Sequence, residues 1–400
     1  MNSNYLLYSI LGLVGLCSIS CTSEDISPST DKDADKIYLS ARVDSKHSTR
    51  MPFDPIDGSG NSLYAPTTTQ PLNVSVWAST NSGVFPNEGK NGSDGSDGTV
   101  AIHTKAHFQS GAPQLLGEAI YPKDESTYVY FVGLHPKSVD GGNSWTASDD
   151  NRAASYTFTG KDDVMFAPQI YGTYGIAYES SPQFYFHHLL TWLNVEIVAD
   201  KDEADVEKRE AVSAAWGQIK RLTIVSKNQV TICNLNEATD TDYATHVAFE
   251  GNEDQELSFF YNNTDKPFPD EGYTIPTTKS VAAYVMCAPV QAEYQHTVDG
   301  QDVLKPEYTL RLETEKRTLD IPVDLRKSDL DTNNDGEVSD EERKNAYFTG
   351  STMGKQFTLL LNFKMGNVIS VSATISLEGN SDWFTHGTGS NDVEEEDIDE

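Results

Sequence analysis

Residues 184–199 read FYFHHLLTWLNVEIVA, a run in which apolar side chains recur at alternate positions. Such a period of two is typical of a β-strand, because successive side chains point to opposite faces of a sheet. The stretch therefore predicts strand structure with at least one buried face.

The same alternation recurs along the chain, with turn residues between the runs. The other runs are KIYLSARV (36–43), PLNVSVWAS (71–79), TYVYFVGL (127–134), SYTFTG (155–160), IKRLTIVSKNQVTICNL (219–235), EYTLRLETEKRTLDIPV (307–323) and KQFTLLLNFKMGNVISVSATISL (355–377). Many strands separated by turns favour antiparallel β-sandwiches. The sequence thus predicts an all-β protein.

One window, DEADVEKREAVSAAWG at 202–217, favours a helix instead, and we predict that it links two strand-rich halves. The two halves are then tandem antiparallel β-sandwich domains. The predicted organisation is a signal peptide at 1–20, a tether at 21–36, an N-terminal sandwich at 37–201, the linker helix at 202–217, a C-terminal sandwich at 218–388 and an acidic tail at 389–400.

Charge and motifs limit the possible functions. The chain has 400 residues and a net charge of −32, which disfavours nucleic acid and anionic membrane surfaces as partners and favours solubility and cation binding. The sequence contains no nucleophile elbow, no phosphate-binding glycine loop and no HExxH motif. We therefore predict that the protein is not an enzyme.

The N-terminal segment predicts lipidation. The apolar run LLYSILGLVGL (6–16) is too short for a comfortable membrane span and leads through small residues to Ser20 and Cys21, although no Lys or Arg precedes it. This arrangement resembles a bacterial lipobox, in which cleavage between Ser20 and Cys21 is followed by acylation of Cys21 and attachment to outer-membrane lipid. The next residues include Ser23-Glu24-Asp25, which resembles an acidic signal for surface export in Bacteroidetes; a polar tether is the alternative.

The stretch DTNNDGEVSDEE at 331–342 has the spacing of an EF-hand calcium loop. Gly336 stands where the loop must turn sharply. Because the loop is single and Pro322 excludes a long entering helix, we expect a structural Ca²⁺ site in an insertion of the second domain and not a sensor. An acidic, solvated loop is the alternative. The predicted ligands are Asp331, Asn333, Asp335, Glu337 through its carbonyl, Ser339 and Glu342.

The histidine pair, the cysteines and the aromatic residues have ordinary explanations. His187 and His188 are neighbours on a predicted strand, so their rings point to opposite faces and do not share a metal; we expect one ring buried and the other solvated. Cys233 and Cys287 form either two buried thiols, which we favour, or a disulfide. The tyrosines and tryptophans predict core packing, with a sugar-binding platform as the alternative.

Several segments, in order, resemble the fimbrillin family of Bacteroidetes, the subunits of type V pili. They are KIYLSARV, STYVYFVGLHP, GKDDVMFA, FHHLLTWLNVEI, YVMCAPVQ, MGKQFTLLLNF and NVISVSATISLEGNSDW, and together they span roughly residues 36 to 383. Within the fourth segment Phe186, His188, Leu190, Leu193, Val195 and Ile197 match the family pattern.

The resemblance implies two transthyretin-like sandwich domains in a surface lipoprotein that polymerises by strand exchange with other subunits, of the same or another kind. An Arg-specific, trypsin-like protease removes the first strand in such families, and the C-terminal strand of a neighbour then fills the groove. Here Arg42 lies inside a strand, whereas Arg50, followed by Met51, lies in a polar stretch that a protease can reach.

The best candidate donor segment is 369–377, where apolar residues alternate with serines and a threonine. Its apolar residues are Ile369, Val371, Ala373, Ile375 and Leu377. The same pattern would also suit an ordinary last strand of the second domain. The sequence therefore predicts a structural or adhesive pilus subunit, and leaves open whether it is stalk, tip or anchor. A monomeric surface lipoprotein that binds glycans is the alternative, and an enzyme is a third and weaker one.

Overall fold

The computed structural model describes residues 35–43, 72–85, 101–108, 112–137, 144–251, 255–261, 266–292, 308–323, 325, 350–365, 369–375, 387–388 and 391–393, the last three ranges as backbone only. Strands are the main secondary structure of these residues, as the alternation predicts. Within them, no helix is both long and apolar enough to cross a membrane.

The strands are short and follow one another along the whole described chain. Their bounds are β1 Lys36–Val43, β2 Leu72–Ser79, β3 Ala101–Phe108, β4 Gln114–Ile120, β5 Tyr128–His135, β6 Thr146–Ala147, β7 Ala154–Thr157, β8 Met165–Thr173, β9 Gln183–His188, β10 Thr191–Ala199, β11 Gln218–Val225, β12 Gln229–Ile232, β13 Val247–Glu250, β14 Glu256–Tyr261, β15 Pro267–Phe268, β16 Tyr273–Thr274, β17 Ser280–Cys287, β18 Gln291–Ala292, β19 Tyr308–Thr314, β20 Thr318–Val323, β21 Gly350–Ser351, β22 Gln356–Phe363, β23 Ile369–Ile375, β24 Gly387–Thr388 and β25 Asn391–Val393. Two short 3₁₀ helices cover Tyr178–Ser180 and Tyr243–His246, and the helix α1 covers Val206–Trp216.

The helix α1 lies inside the window predicted for it. Asp205 caps its N-terminus by accepting a hydrogen bond from Glu207 N (2.9 Å), and Gly217 ends it at φ 71°, where a side chain would be strained. The buried indole of Trp216 packs edge-on against Phe363 and lies under the Arg317 guanidinium. The helix is therefore fixed to the C-terminal strands.

The N-terminal strands form a sheet in the order β3-β2-β5-β8-β9-β1-β4 among the described residues. Its inner face holds one apolar cluster, which draws side chains from all seven of these strands. On the other face, Trp77, Val132, Leu134 and Phe166 belong to a second and larger cluster with residues of the C-terminal half. The same strands thus separate two buried cores.

The C-terminal strands follow the order β20-β19-β11-β14-β17-β10-β22-β23-β24 in the largest described sheet. A smaller sheet with the order β13-β12-β7-β6 joins strands from both halves. The division into tandem domains at the helix remains a prediction. Strand pairing places β10, which precedes the helix, with the C-terminal strands β17 and β22.

The run at 184–199, predicted as continuous strand structure, is two strands. β9 ends at His188 in the N-terminal sheet, Leu189 N donates to Val164 O (2.9 Å), and β10 begins at Thr191 in the C-terminal sheet. Alternation does not reveal this change of sheet, because both strands bury apolar side chains. The strands of four or more residues that the alternation does not single out are β3, β4, β8, β13, β14 and β17, of which β3 and β4 carry many polar or small residues.

Candidate functional site: the first strand and the residues that hold it

The first strand, β1, lies between β9 and β4 in the N-terminal sheet. Residues 36–39 pair antiparallel with β4, and residues 40–43 pair parallel with β9. Among the described strands β4 pairs with β1 alone. Removal of β1 would therefore leave unpaired backbone groups on both sides of a gap.

The inner face of β1 is completely buried. Ile37, Leu39 and Ala41 are 0% exposed and Val43 is 3% exposed, and all four belong to the N-terminal cluster. Phe184 and Phe186 of β9 belong to the same cluster. Loss of this strand would uncover an apolar groove as well as two open strand edges.

Polar contacts also hold β1 in place. Ser40 is buried, its N–H donates to Pro182 O (3.1 Å), and its hydroxyl accepts a hydrogen bond from Gln183 Nε2 (3.0 Å). On the outer face the Tyr38 ring packs edge-on against Tyr178, with centroids 5.2 Å apart. Ser40 and Gln183 lie opposite each other in the parallel pairing of β1 with β9, so their hydrogen bond is specific to this register.

Arg42 lies inside the ladder, opposite Tyr185 of β9, and its side chain is exposed. Its backbone is therefore held in the sheet, as the sequence predicts. Ser20, Cys21, Arg50 and Met51 lie outside the described residues.

Each part of β1 is paired with a neighbouring strand on one side only, whereas most of β10 is paired on both sides. β10 also has one antiparallel and one parallel neighbour, but β17 and β22 each pair with nearly its whole length. β1 has one pairing partner at a time, first β4 and then β9. Fewer ladder hydrogen bonds therefore resist its release.

At the far end of β9, three of the fimbrillin-like segments meet. His135, Met165 and His188 lie in register across β5, β8 and β9. The His188 ring donates from Nδ1 to Asp163 Oδ1 (3.0 Å), and both side chains are almost fully buried. Segments that are distant in sequence thus form one polar cluster beside the apolar core.

His135 completes this cluster. Its ring donates from Nδ1 to Asn73 O (2.8 Å). Burial lowers the pKa of His135 below its ordinary value, and the negative charge of Asp163 partly opposes that shift. His135 is therefore held mainly as the neutral, hydrogen-bonded ring near neutral pH.

The two neighbouring histidines point apart, as predicted, but the expectation that one ring is solvated is wrong. His187 is 5% exposed and His188 is 6% exposed. The Tyr243 ring stacks on His187 at 4.1 Å, and His187 Nε2 donates to Asp240 Oδ1 (3.1 Å). The covering residues come from a segment more than 50 positions away, which strand periodicity does not reveal.

The predicted donor segment lies at the other end of the described chain. Ile369, Val371, Ala373 and Ile375 are in β23, which pairs antiparallel with β22 from Thr358↔Thr374 to Phe363↔Ile369. Leu377 is outside the described residues. Within its own chain, the segment thus lies between β22 and the short strands β24 and β25, which pair with its other edge.

The predicted calcium ligands Asp331, Asn333, Asp335, Glu337, Ser339 and Glu342 lie outside the described residues. Among the residues that are described, no group of three or more His, Cys, Asp or Glu is placed to hold a metal ion.

The two cysteines among the described residues are free thiols, but only one is buried. Cys287 is 0% exposed, and burial raises the pKa of its thiol to about 12. Cys233, which follows the last residue of β12, is exposed, so the expectation of two buried thiols is wrong. The tryptophans Trp77, Trp145, Trp192 and Trp216 are buried, as core packing predicts.

Comparison with known proteins gives only structural neighbours. No protein-family model matches the chain. No curated protein matches it either. A solved Bacteroides uniformis protein assigned to cell adhesion has 12% identity and a TM-score of 0.42, over 85% of this chain and 96% of its own.

Two other neighbours have similar coverage. A Bacteroides ovatus protein assigned to cell adhesion has 12% identity and a TM-score of 0.44, over 88% of this chain and 98% of its own. A fimbrial assembly protein of Parabacteroides distasonis has 9% identity and a TM-score of 0.36, over 85% of this chain and 94% of its own.

Proposed function

We propose that the protein is a structural or adhesive subunit of surface pili, exported as a lipoprotein through Cys21 and polymerised by strand exchange after an Arg-specific protease cuts between Arg50 and Met51. The observation that carries the proposal is the position of β1. It is the first described strand, it lies between two neighbours, and its inner face is buried in the core.

The physical argument concerns what release of β1 would create. A gap between β9 and β4 offers backbone donors and acceptors on both sides and an apolar floor, so an extended segment gains ladder hydrogen bonds and burial together. A protein surface with such a gap is unstable in water until the gap is filled. Cleavage would therefore couple maturation to assembly.

The pairing of β1 supports Arg50 over Arg42 as the proposed cleavage site. A protease needs an accessible, extended chain, and Arg42 is within the ladder of β1. Cleavage after Arg50 leaves β1 intact and releases it whole. We also infer that Ca²⁺ stabilises the insertion at 331–342, on the basis of its ligand spacing.

Two matched substitutions test the proposal. Arg50→Ala should give full-length monomers that do not assemble on the cell surface, whereas Arg42→Ala should assemble normally. N-terminal sequencing of the assembled protein should begin at Met51, and immunogold electron microscopy should show label on filaments. Assembled protein that still begins at Cys21, or diffuse label, would show that the proposal is wrong.

A further inference from the structure

The first strand and the predicted donor strand share one sequence pattern. β1 contains IYLSARV at 37–43, and β23 reads ISVSATI at 369–375. The two strands have the same residue at the first position (Ile), the fourth (Ser) and the fifth (Ala). At the third position Leu39 corresponds to Val371, and at the seventh Val43 corresponds to Ile375. The two strands therefore carry the same or similar side chains at five of the seven positions and differ at the second and sixth.

We infer that β23 of a second copy of this chain replaces β1 in one defined register, with Ile369 at the position of Ile37 and Ala373 at the position of Ala41. This inference rests on the proposed function, which already contains the strand exchange, and it adds the register and the identity of the donor as a second copy of this chain. A segment that runs in the same direction as β1 keeps both the antiparallel pairing with β4 and the parallel pairing with β9.

The environment of β1 explains why the register matters. Ala41 is 0% exposed, so this place in the core holds a small side chain, and a larger one would have to displace closely packed neighbours. Ser40 is buried and accepts a hydrogen bond from Gln183, which would lose its partner if no hydroxyl stood there. In the inferred register Ala373 and Ser372 meet both requirements.

A shift by two residues would break the match. Ala373 would then stand at the position of Leu39 or Val43, both almost completely buried, and would leave a cavity there. A shift by one would turn every apolar residue of the donor to the other face. Only the unshifted register fits the groove.

Before cleavage, β1 occupies the groove for which β23 of another copy would compete. In its own chain, β23 is paired with β22 on one side and with the short strands β24 and β25 on the other. Donation therefore exchanges pairing with these three strands for pairing with two strands of the next subunit. The resemblance between the two strands makes β1 an internal competitor that blocks premature assembly.

Synthetic peptides with residues 369–377 test the register on the full chain cut after Arg50. The unchanged peptide should bind the cut chain and not the uncut chain. Ala373→Leu should bind at least about tenfold more weakly because it overpacks the place of Ala41. Thr374→Arg is the matched control, since Thr374 takes the place of the exposed Arg42, and it should bind like the unchanged peptide.

Ser372→Ala should bind roughly three- to tenfold more weakly to the cut chain, because it loses the hydrogen bond from Gln183. If Ala373→Leu binds as well as the unchanged peptide, the register is wrong. If no peptide binds but the protein still assembles after cleavage at Arg50, the donor is another segment and the proposed function stands. If the protein assembles without cleavage, the proposed function itself fails.

A second inference concerns a cavity of about 390 Å³ at the sheet formed by β6, β7, β12 and β13. Its lining contains Ala147 and six residues with an uncharged hydroxyl or amide: Ser144, Thr146, Ser148, Ser155, Thr157 and Gln229. Thr146 and Thr231 flank Ser155 across three strands, and Thr157 stands opposite Gln229. The polar side chains therefore form rows on one face of the sheet.

We propose that this cavity binds an uncharged saccharide. Its size is within the range of about 300–1,000 Å³ that is typical of small-molecule sites. Its described lining contains no carboxylate to hold a cation and no Lys or Arg to hold an anion, and the net charge of −32 disfavours anionic ligands. Hydroxyls and an amide both donate and accept hydrogen bonds, as the hydroxyls of a neutral sugar require.

The test uses the uncut full chain, so that its result does not depend on strand exchange. The protein is applied to immobilised neutral oligosaccharides of glucose, galactose, mannose and fucose and to sialylated and sulfated counterparts. A neutral glycan should bind, and Thr157→Val should weaken that binding roughly three- to tenfold through loss of one hydroxyl.

Thr318→Val, an exposed strand threonine in the other sheet, is the control and should bind normally. Binding of charged glycans alone, absence of binding to any neutral glycan, or equal binding by the Thr157→Val and wild-type proteins would each overturn the assignment.

Discussion

Replacement of Leu39 by Ala should loosen the first strand once the chain is cut after Arg50. Leu39 is 0% exposed and lies in the middle of the apolar face of β1. Truncation of a buried leucine to alanine costs about 2–5 kcal/mol. Since about 1.4 kcal/mol is a factor of ten in an equilibrium constant, the cut fragment should be held roughly 30- to several thousand-fold more weakly.

The assay follows the fragment directly. The protein carries a fluorescent label at its N-terminus and is cut with an Arg-specific protease, and dissociation of the labelled fragment is then measured by size-exclusion chromatography and fluorescence anisotropy. Leu39→Ala should release the fragment much faster than wild type, and the acceptor should bind the 369–377 peptide sooner. Before cleavage both proteins should remain monomeric.

Arg42→Ala is the matched control on the same strand. The Arg42 side chain is exposed, and substitutions at such surface positions usually change stability by no more than about 0.5 kcal/mol. Its fragment should therefore leave at nearly the wild-type rate. If Arg42→Ala and Leu39→Ala release the fragment equally fast, or if neither differs from wild type, burial of the inner face does not hold β1 and the reasoning is refuted.

Three other predictions follow from the sequence and the polar cluster. Metabolic labelling with a fatty-acid analogue should mark the wild type and not Cys21→Ala; equal labelling of both would contradict lipidation. Calcium at one hundred times Kd should stabilise the chain by about 2.7 kcal/mol, and Glu342→Gln should abolish most of this stabilisation. A melting curve that does not change when a chelator is added would indicate a plain acidic loop. Because burial lowers the pKa of His135, the unfolded chain binds more protons below about pH 6.5, and the free energy of unfolding should fall as the pH drops below that value. Urea titrations from pH 7.5 to 5.5 should show a smaller fall in the free energy of unfolding for His135→Gln than for wild type. The same dependence of that free energy on pH in both proteins would contradict this.

Much of the local structure follows from the sequence. The alternation in KIYLSARV corresponds to β1 at Lys36–Val43, with its apolar residues buried. The helix α1 lies inside its predicted window because Asp205 and Gly217 provide its ends. These features depend on neighbours a few positions apart, so periodicity and capping residues are sufficient to predict them.

Pairing and burial by distant segments depend on the tertiary structure. The alternation at 184–199 does not show that the chain changes sheets after His188, and nothing near His187 indicates that Tyr243 covers its ring. The order of the fimbrillin-like segments is visible in the sequence, but the hydrogen bond between Asp163 and His188 is a tertiary contact. Likewise, the pattern of β1 predicts a strand, whereas its place between β9 and β4 depends on residues more than 70 positions away. Periodicity reports which face of an element is apolar, and long-range packing decides what covers that face.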